Sequence, residues 1–360
     1  MKIVTVIGAR PQFVKAAVVS RAIAARENLE EVMIHTGQHY DKNMSDIFFT
    51  EMDIPQPSYN LAVKESLHGA MTAKMLSGIE EILLAEKPAL VLTYGDTNST
   101  LAAALAASKL QLPIAHVEAG LRSFNRNMPE EINRLLTDQL SEYLFCPTDQ
   151  AIANLQREGY EDGFHQIFRT GDVMLDAALY YAGKSTSTIL QTLGLQDVPF
   201  ILATIHRAEN TNDSEKLRSI IEALNELNTT TRVLVPLHPR TTKILQQQNI
   251  PTGFTIIDPV GYFDMLQLLA SCALVITDSG GLQKEAFFFK KFCVTLREQT
   301  EWVELVENGY AALAGSDSQL ITSIAQAFLA KEFTGSNALY GNGNAGETIA
   351  GIIEHKLGST

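Results

Sequence analysis

The feature that most constrains this chain is a repeated alternation. Short apolar, β-branched runs recur along the 360 residues, and amphipathic stretches with helical spacing separate them. Eleven runs read as strands: 2–8 ("KIVTVIG"), 30–37, 89–95, 113–119, 143–148, 165–171, 199–205, 231–238, 254–259, 273–279 and 291–296. Segments such as "STLAAALAASKL" and "DSEKLRSIIEALNELN" lie between them. Continuous apolar strands separated by helices mean parallel sheets covered on both faces. Eleven strands exceed one open sheet of ordinary width, whereas a (β/α)8 barrel needs only eight. Two doubly wound α/β domains fit better, which also suits the chain length. The boundary is expected around "RTGDVMLDAALYYAGKSTST" (169–188), where a helix gives way to Ser/Thr, and the domains are set at 1–172 and 173–345, with a helix over 346–360 packing back on the first.

Composition narrows the partners. Hydrophobic residues make up 46% and charged residues 19%, as in a globular protein. The formal net charge of −13 argues against nucleic acid as a partner. A small anionic ligand needs only a local basic cluster and helix N-termini, so it stays open. No apolar run approaches the ~18 residues of a membrane span, and "MKIVTVIGARP" breaks too soon for a signal peptide. Cys146, Cys272 and Cys293 sit in apolar settings without metal-ligand spacing, as buried thiols of a reducing compartment do. A cytoplasmic protein without a metal or cofactor is expected.

In open parallel sheets, ligands bind outside the carboxyl ends of the strands. The ends of these strands share a character. "GARPQFVK" supplies Gly8, Arg10 and Lys15, and "YGDTNST" supplies Asp96. "HVEAGLRSFNRNMPEEINR" supplies His116, Glu118, Glu130, Glu131 and Arg134. Later, "TIHRAEN" supplies His206, Arg207 and Glu209, "PLHPR" supplies His238 and Arg240, and "DSGGLQKEA" supplies Ser279, Gly280, Gly281 and Glu285. Taken singly, each has a plain alternative. Asp96 or Ser279 could cap the helix that follows. His116 reads best as a satisfied core histidine, and Glu131 with Arg134 as an ordinary surface pair. The repetition in both halves is what plain readings leave unexplained, and it indicates one site between two domains.

The residue types suggest the ligand. "SGG" opening a helix offers backbone N–H groups and a positive dipole end to a phosphate or diphosphate. Arg10, Lys15, His206 and Arg207 add positive charge. Asp96, Glu118 and Glu130 suit sugar hydroxyls or acid/base work. Neither GxGxxG nor GxxxxGK[ST] occurs, and there is no HExxH. The pattern predicts a metal-independent enzyme acting on a diphosphate-linked sugar.

With these motifs in view, the chain resembles the non-hydrolysing UDP-N-acetylglucosamine 2-epimerase family over essentially its full length. "GARPQFVK", "GQH", "YGDTNSTLA", "HVEAGLRS", "MPEEINR", "HRAEN", "LHPR" and "TDSGGLQKEA" carry the resemblance in order. It implies a GT-B fold of two Rossmann-like domains with the active site in the cleft, usually a homodimer, that equilibrates UDP-GlcNAc and UDP-ManNAc for surface polysaccharides. The implied mechanism removes C2–H, expels UDP to leave a 2-acetamidoglucal, and re-adds UDP with protonation on the opposite face. Asp96, Glu118 and Glu130 fall on the family's catalytic carboxylates and His206 on its catalytic histidine. Arg10, His238, Ser279, Gly280 and Glu285 fall on nucleotide- and diphosphate-contacting positions, beside Lys15, Arg134, Arg207, Glu209 and Gly281.

Three positions depart from the family pattern. Gln12 replaces the acid of the usual "GTRPE", the "YDKNMSDIFF" segment at 40–49 is unusual in a region that forms an allosteric site in several members, and Trp302 stands where many have arginine. Together they resemble the branch acting on UDP-2,3-diacetamido-2,3-dideoxyglucuronate. The rivals are a GT-B glycosyltransferase, a hydrolysing epimerase and a non-catalytic UDP-sugar sensor, of which the sensor would not need three carboxylates and a histidine.

Overall fold

The computed structural model describes residues 1–38, 55–161, 163–184, 187–335 and 337–359, without the side chains of Arg10 and Asn337. The 40–49 segment therefore lies outside the described residues. The chain divides into two compact units, Met1–Ala177 with Ala338–Thr360, and Ala178–Asn337.

In the first unit seven described strands form one parallel sheet: β1 (Lys2–Ile7), β2 (Glu30–His35), β3 (Tyr59–Asn60), β4 (Leu90–Tyr94), β5 (Ile114–Val117), β6 (Tyr143–Cys146) and β7 (Gln166–Arg169). Their order is β3-β2-β1-β4-β5-β6-β7. β4 is buried at every position and β1 at all but Lys2, as a sheet with helices on both faces requires. The order reverses direction between β1 and β4, and that switch point is where a crevice opens at the strand ends.

The second unit repeats the plan with β8 (Phe200–Thr204), β9 (Arg232–Pro236), β10 (Thr255–Ile257), β11 (Leu274–Thr277), β12 (Cys293–Thr295) and β13 (Ala311–Leu313), in the order β10-β9-β8-β11-β12-β13. All pairings are parallel. Its switch point lies between β8 and β11. All eleven expected strands are present, and β3 and β13 are added to them. No helix among the described residues is long and apolar enough to cross a membrane.

The final helix, Ala345–Gly358, belongs to the first unit and packs on the helix Arg10–Ala24. Gly346 permits the approach, since a Cβ there would lie 2.6 Å from Val18 Cγ1. Arg26 adds an ion pair to Glu354 at 3.4 Å and a hydrogen bond to the Glu347 carbonyl at 3.0 Å.

Candidate active site

In the first unit Lys15, Asp96, Glu118 and Arg134 meet at the switch point, whereas Glu130 stands exposed on the first turn of its helix. Lys15, on the helix after β1, makes an ion pair with Glu118, just beyond β5. A Cβ at Gly95 would sit 3.3 Å from both Glu118 Oε2 and Lys15 Nζ, which places the pair over the turn leading out of β4. Lys15, expected from sequence on the anion-binding side, is here paired with a carboxylate of the same unit. Asp96 follows Gly95 and pairs with Arg134 of the helix Pro129–Leu140. Asn133 of the same helix donates to the Asp96 carbonyl at 2.8 Å.

The backbone at Glu118 is unusual. Its φ is +76°, in the left-handed region that side chains rarely adopt. Such strain persists where surroundings over-determine it and clusters at functional sites. Here the Glu118 and Ala119 N–H groups both donate to the Phe145 carbonyl at 3.1 Å.

The adjacent glutamates of Pro129–Leu140 are unlike. Glu130 is exposed on the first turn. Glu131 is 1% exposed and accepts from Ser123 N at 2.9 Å, Ser123 Oγ at 3.0 Å, Phe124 N at 2.9 Å and Arg134 Nη1 at 2.8 Å. The pairing of Glu131 with Arg134 is therefore buried, not the surface pair expected. Asp96 does not cap the following helix either, because Thr97 does so, accepting from Thr100 N at 3.3 Å. The plain reading of His116 holds: it is fully buried between Asp138 Oδ1 at 2.6 Å and the Gly95 carbonyl at 2.7 Å.

Gln12 belongs to the same framework. Its Oε1 accepts from Gly8 N at 2.8 Å and Ala9 N at 3.0 Å, while Nε2 donates to the Tyr94 carbonyl at 2.8 Å and Thr100 Oγ1 at 3.0 Å. One buried amide thereby ties the end of β1 to the end of β4. Gln38 of "GQH" accepts from Ser99 N at 3.1 Å and from Ser99 Oγ at 2.8 Å.

The second unit builds its set on the ends of β8 and β11. His206 has a side chain 54% exposed and holds Asp278 through Nδ1 at 2.9 Å. Asp278 is fully buried and also accepts from the His206 and Arg207 N–H groups at 3.0 Å and Asn210 Nδ2 at 3.2 Å. Burial would raise the Asp278 carboxyl, but His206 and the two backbone donors outweigh it and hold it below its ordinary value. An ionised Asp278 fixes Nδ1–H as the donor and leaves Nε2 for other work. Sequence reading passed over Asp278 although it stands at a strand end directly before Ser279. Applied evenly, the strand-end rule would have included it.

Ser279 does cap its helix, Gly280–Phe288, accepting from Leu282 N at 3.4 Å. His238 likewise caps Pro239–Gln247, accepting from Arg240 N at 3.2 Å. A Cβ at Gly280 would fall 2.2 Å from Glu301 Oε1, so a side chain there would displace the Glu301 carboxylate, whose partner Arg297 lies 2.9 Å from Oε2. Gly281 faces open space. Glu285 is 8% exposed, whereas Arg207 is half-buried and Glu209 exposed. Trp302 is buried with Lys284 Nζ 4.1 Å from its ring centroid, so a cation is present where the arginine is missing. Among the described residues no cluster of three or more His, Cys, Asp or Glu is placed to hold a metal ion.

Comparison with known proteins bears on this arrangement. The chain is 56% identical over 351 residues, 97% of its length and 98% of the relative's, to the UDP-2,3-diacetamido-2,3-dideoxy-D-glucuronate 2-epimerase of Pseudomonas aeruginosa. The UDP-GlcNAc 2-epimerase of Methanocaldococcus jannaschii, solved with UDP-GlcNAc and UDP, superposes with a TM-score of 0.88 at 42% identity, covering 99% of this chain and 100% of that one. The Neisseria meningitidis UDP-GlcNAc 2-epimerase bound to UDP-GlcNAc gives a TM-score of 0.87 at 31% identity, with coverage of 99% and 100%. The two parallel-sheet units agree with the GT-B architecture. The sequence model of UDP-N-acetylglucosamine 2-epimerase matches residues 21–354, and with relatives at this identity over nearly every residue the chain belongs to that epimerase family.

Proposed function

We propose that this enzyme inverts C2 of a UDP-2-acetamido sugar without hydrolysing it, and that the sugar is 2,3-diacetamido-2,3-dideoxyglucuronate. The observation that carries the choice of sugar is the 56% identity, end to end, with the Pseudomonas aeruginosa enzyme of that specificity. Interconversion of UDP-GlcNAc and UDP-ManNAc is the second reading, favoured by 42% identity to the Methanocaldococcus jannaschii enzyme.

In this reading a carboxylate of the first unit takes the C2 proton, the C–H electron pair forms the C1=C2 bond, and the C1–O pair leaves with UDP. Re-addition of UDP to C1 with protonation of C2 on the other face completes the inversion. Asp96, Glu118 and Glu130 are assigned the acid/base work. Lys15 and Arg134 supply positive charge beside Glu118 and Asp96 and hold the two carboxylates in place. His206, Arg10, Arg207, His238, Ser279, Gly280, Gly281 and Glu285 are assigned to UDP, with Glu209 beside them. Charge builds on the departing diphosphate, so a protonated His206 stabilises the transition state more than the ground state. A homodimer is part of the same reading, to be checked by sedimentation. So is cytoplasmic residence, supported by three buried free cysteines.

The test is turnover in D2O followed by NMR. We expect deuterium at C2 and retained UDP linkage, with UDP-2,3-diacetamido-2,3-dideoxyglucuronate used faster than UDP-GlcNAc. Turnover without deuterium at C2 excludes the elimination mechanism, and faster use of UDP-GlcNAc selects the second reading.

A further inference from the structure

His116 is used by no step of the mechanism, yet both of its ring nitrogens are held by hydrogen-bond partners. The ring is fully buried on β5, where His116 pairs in register with Thr93 of β4 and Leu144 of β6. Nδ1 lies 2.6 Å from Asp138 Oδ1 and Nε2 lies 2.7 Å from the Gly95 carbonyl. A carbonyl oxygen has no proton to give. The Asp138 carboxyl has none either: burial pushes it up, but His116 and Arg122 together hold it below its ordinary value. Two acceptors therefore face the two ring nitrogens, and both bonds form only if each nitrogen carries a hydrogen.

The charges around the ring agree. Asp138 Oδ2 accepts from Arg122 Nη1 at 2.7 Å, and Arg122 reaches both Glu158 oxygens at 2.8 Å through Nε and Nη2. Asp138 and Glu158 bring two negative charges and Arg122 one positive. A protonated His116 balances the charge of this set, in which Asp138 and Arg122 are buried and Glu158 stands at the exposed edge. Cys146, on β6, is also near Asp138, and burial raises its thiol well above the ordinary value, so it adds no charge.

The network joins the two turns that carry the proposed carboxylates. His116 fixes the Gly95 carbonyl while Gly95 N–H donates to the Val117 carbonyl at 3.0 Å, so the residue before Asp96 is held from both sides. Asp138 Oδ2 accepts from Gly120 N at 3.1 Å, two residues beyond Glu118. Gly120 is itself tight, with φ +79° and a Cβ position 2.4 Å from the Ala151 carbonyl oxygen. The helix Pro129–Leu140 grips both turns, Asn133 and Arg134 holding Asp96 and Asp138 holding Gly120.

We propose that His116 is a positioning residue, a doubly protonated imidazolium that locks the Gly95–Asp96 turn to the Glu118–Gly120 turn and so sets the spacing of the two carboxylates. It touches no substrate. The inference rests on the proposed roles of Asp96 and Glu118, and its first test does not. In 15N-histidine-labelled enzyme at pH 7, one ring, identified by its loss in His116→Gln, should show two protonated nitrogens with both protons in slow exchange. A bare nitrogen on that ring overturns the assignment.

The second test is kinetic. Asp138→Asn and His116→Gln should each lower kcat about 10-fold or more with little change in KM, because the loss falls on transition-state geometry and not on uniform binding. The double variant should be little worse than the worse single one, since coupled residues are not additive. Asp138→Asn is the milder change and stands alone if His116→Gln does not fold. Folded Asp138→Asn with full kcat, beside a Glu118→Gln enzyme that has lost it, overturns the positioning role. Full kcat in both overturns the carboxylate assignment and the positioning role with it.

Discussion

Asp278 holds the His206–Arg207 turn by three separate bonds, from the His206 ring Nδ1 at 2.9 Å and from the backbone N–H groups of His206 and Arg207 at 3.0 Å. A buried carboxylate thus fixes both the tautomer and the path of the chain at an exposed imidazole. A histidine with one face anchored and the other solvated is ready to meet an anion.

Replacing that anchor should harm chemistry more than folding. Asp278→Asn keeps the shape but removes the anionic acceptor that orients the His206 ring. We expect kcat to fall by as much as the ~10²–10³-fold lost when one group that stabilises transition-state charge is removed. Steady-state kinetics beside thermal melting checks this. A melting point lowered by several degrees with kcat retained would show Asp278 to be a structural brace for the turn after β8.

The paired glutamates should separate cleanly. Glu131 satisfies four donors from a buried position, so Glu131→Gln strands at least one of them and should cost about 1–3 kcal/mol of stability. Glu130 is exposed, and Glu130→Gln should leave the melting temperature unchanged while lowering kcat. Thermal melts and turnover on both variants settle the assignment. If turnover survives in Glu130→Gln, that residue leaves the catalytic set.

Gln12 offers a test of the turn after β1. Gln12→Glu would set a carboxylate oxygen against the Tyr94 carbonyl, which the amide now meets as a donor. The variant should lose about 1–3 kcal/mol, the penalty for a buried polar group left without its partner. Chemical denaturation measures it, and unchanged stability would mean that the carboxyl takes up a proton to restore the bond.

Stability should carry a pH signature from Asp176. Burial pushes its carboxyl up to about 6, against an ordinary value of 3.8, although the Gly346 and Ala345 backbone groups pull it down. The folded chain thus keeps a proton that the unfolded chain releases. Asp176 contributes stability fully below pH ~4 and loses it as pH rises through 6. That span corresponds to at most about 3 kcal/mol. Asp176→Asn abolishes the titration, so the wild type should gain stability relative to the variant as pH falls from 7 to 4. Parallel denaturation curves that keep a constant offset over that range would show that Asp176 does not titrate there.

Much of this protein is local and therefore legible in its sequence. A buried parallel strand must be continuously apolar, and the helix that follows it must be amphipathic, so eleven of thirteen described strands could be marked from one-dimensional pattern. The two that could not are Tyr59–Asn60, only two residues long, and Ala311–Leu313, which lies in "GYAALAG" and has no β-branched residue to mark it. The strand-end rule singled out Asp96, Glu118 and His206 as candidates for the same reason, since position after an apolar run is a local property. What depended on distant parts of the chain was decided only by tertiary structure. In "MPEEINRLLTD" the acidic residues look alike. Folding leaves Glu130 in solvent, buries Glu131 under the Ser123–Phe124 backbone, and sends Asp138 to His116, 22 residues back in sequence. Lys15 could meet an anion or a carboxylate, and it is the β1–β4–β5 order that brings Glu118 to it from 103 residues away. Burial makes a charge costly unless a partner meets it, and which partner arrives is fixed by how strands are ordered in the sheet.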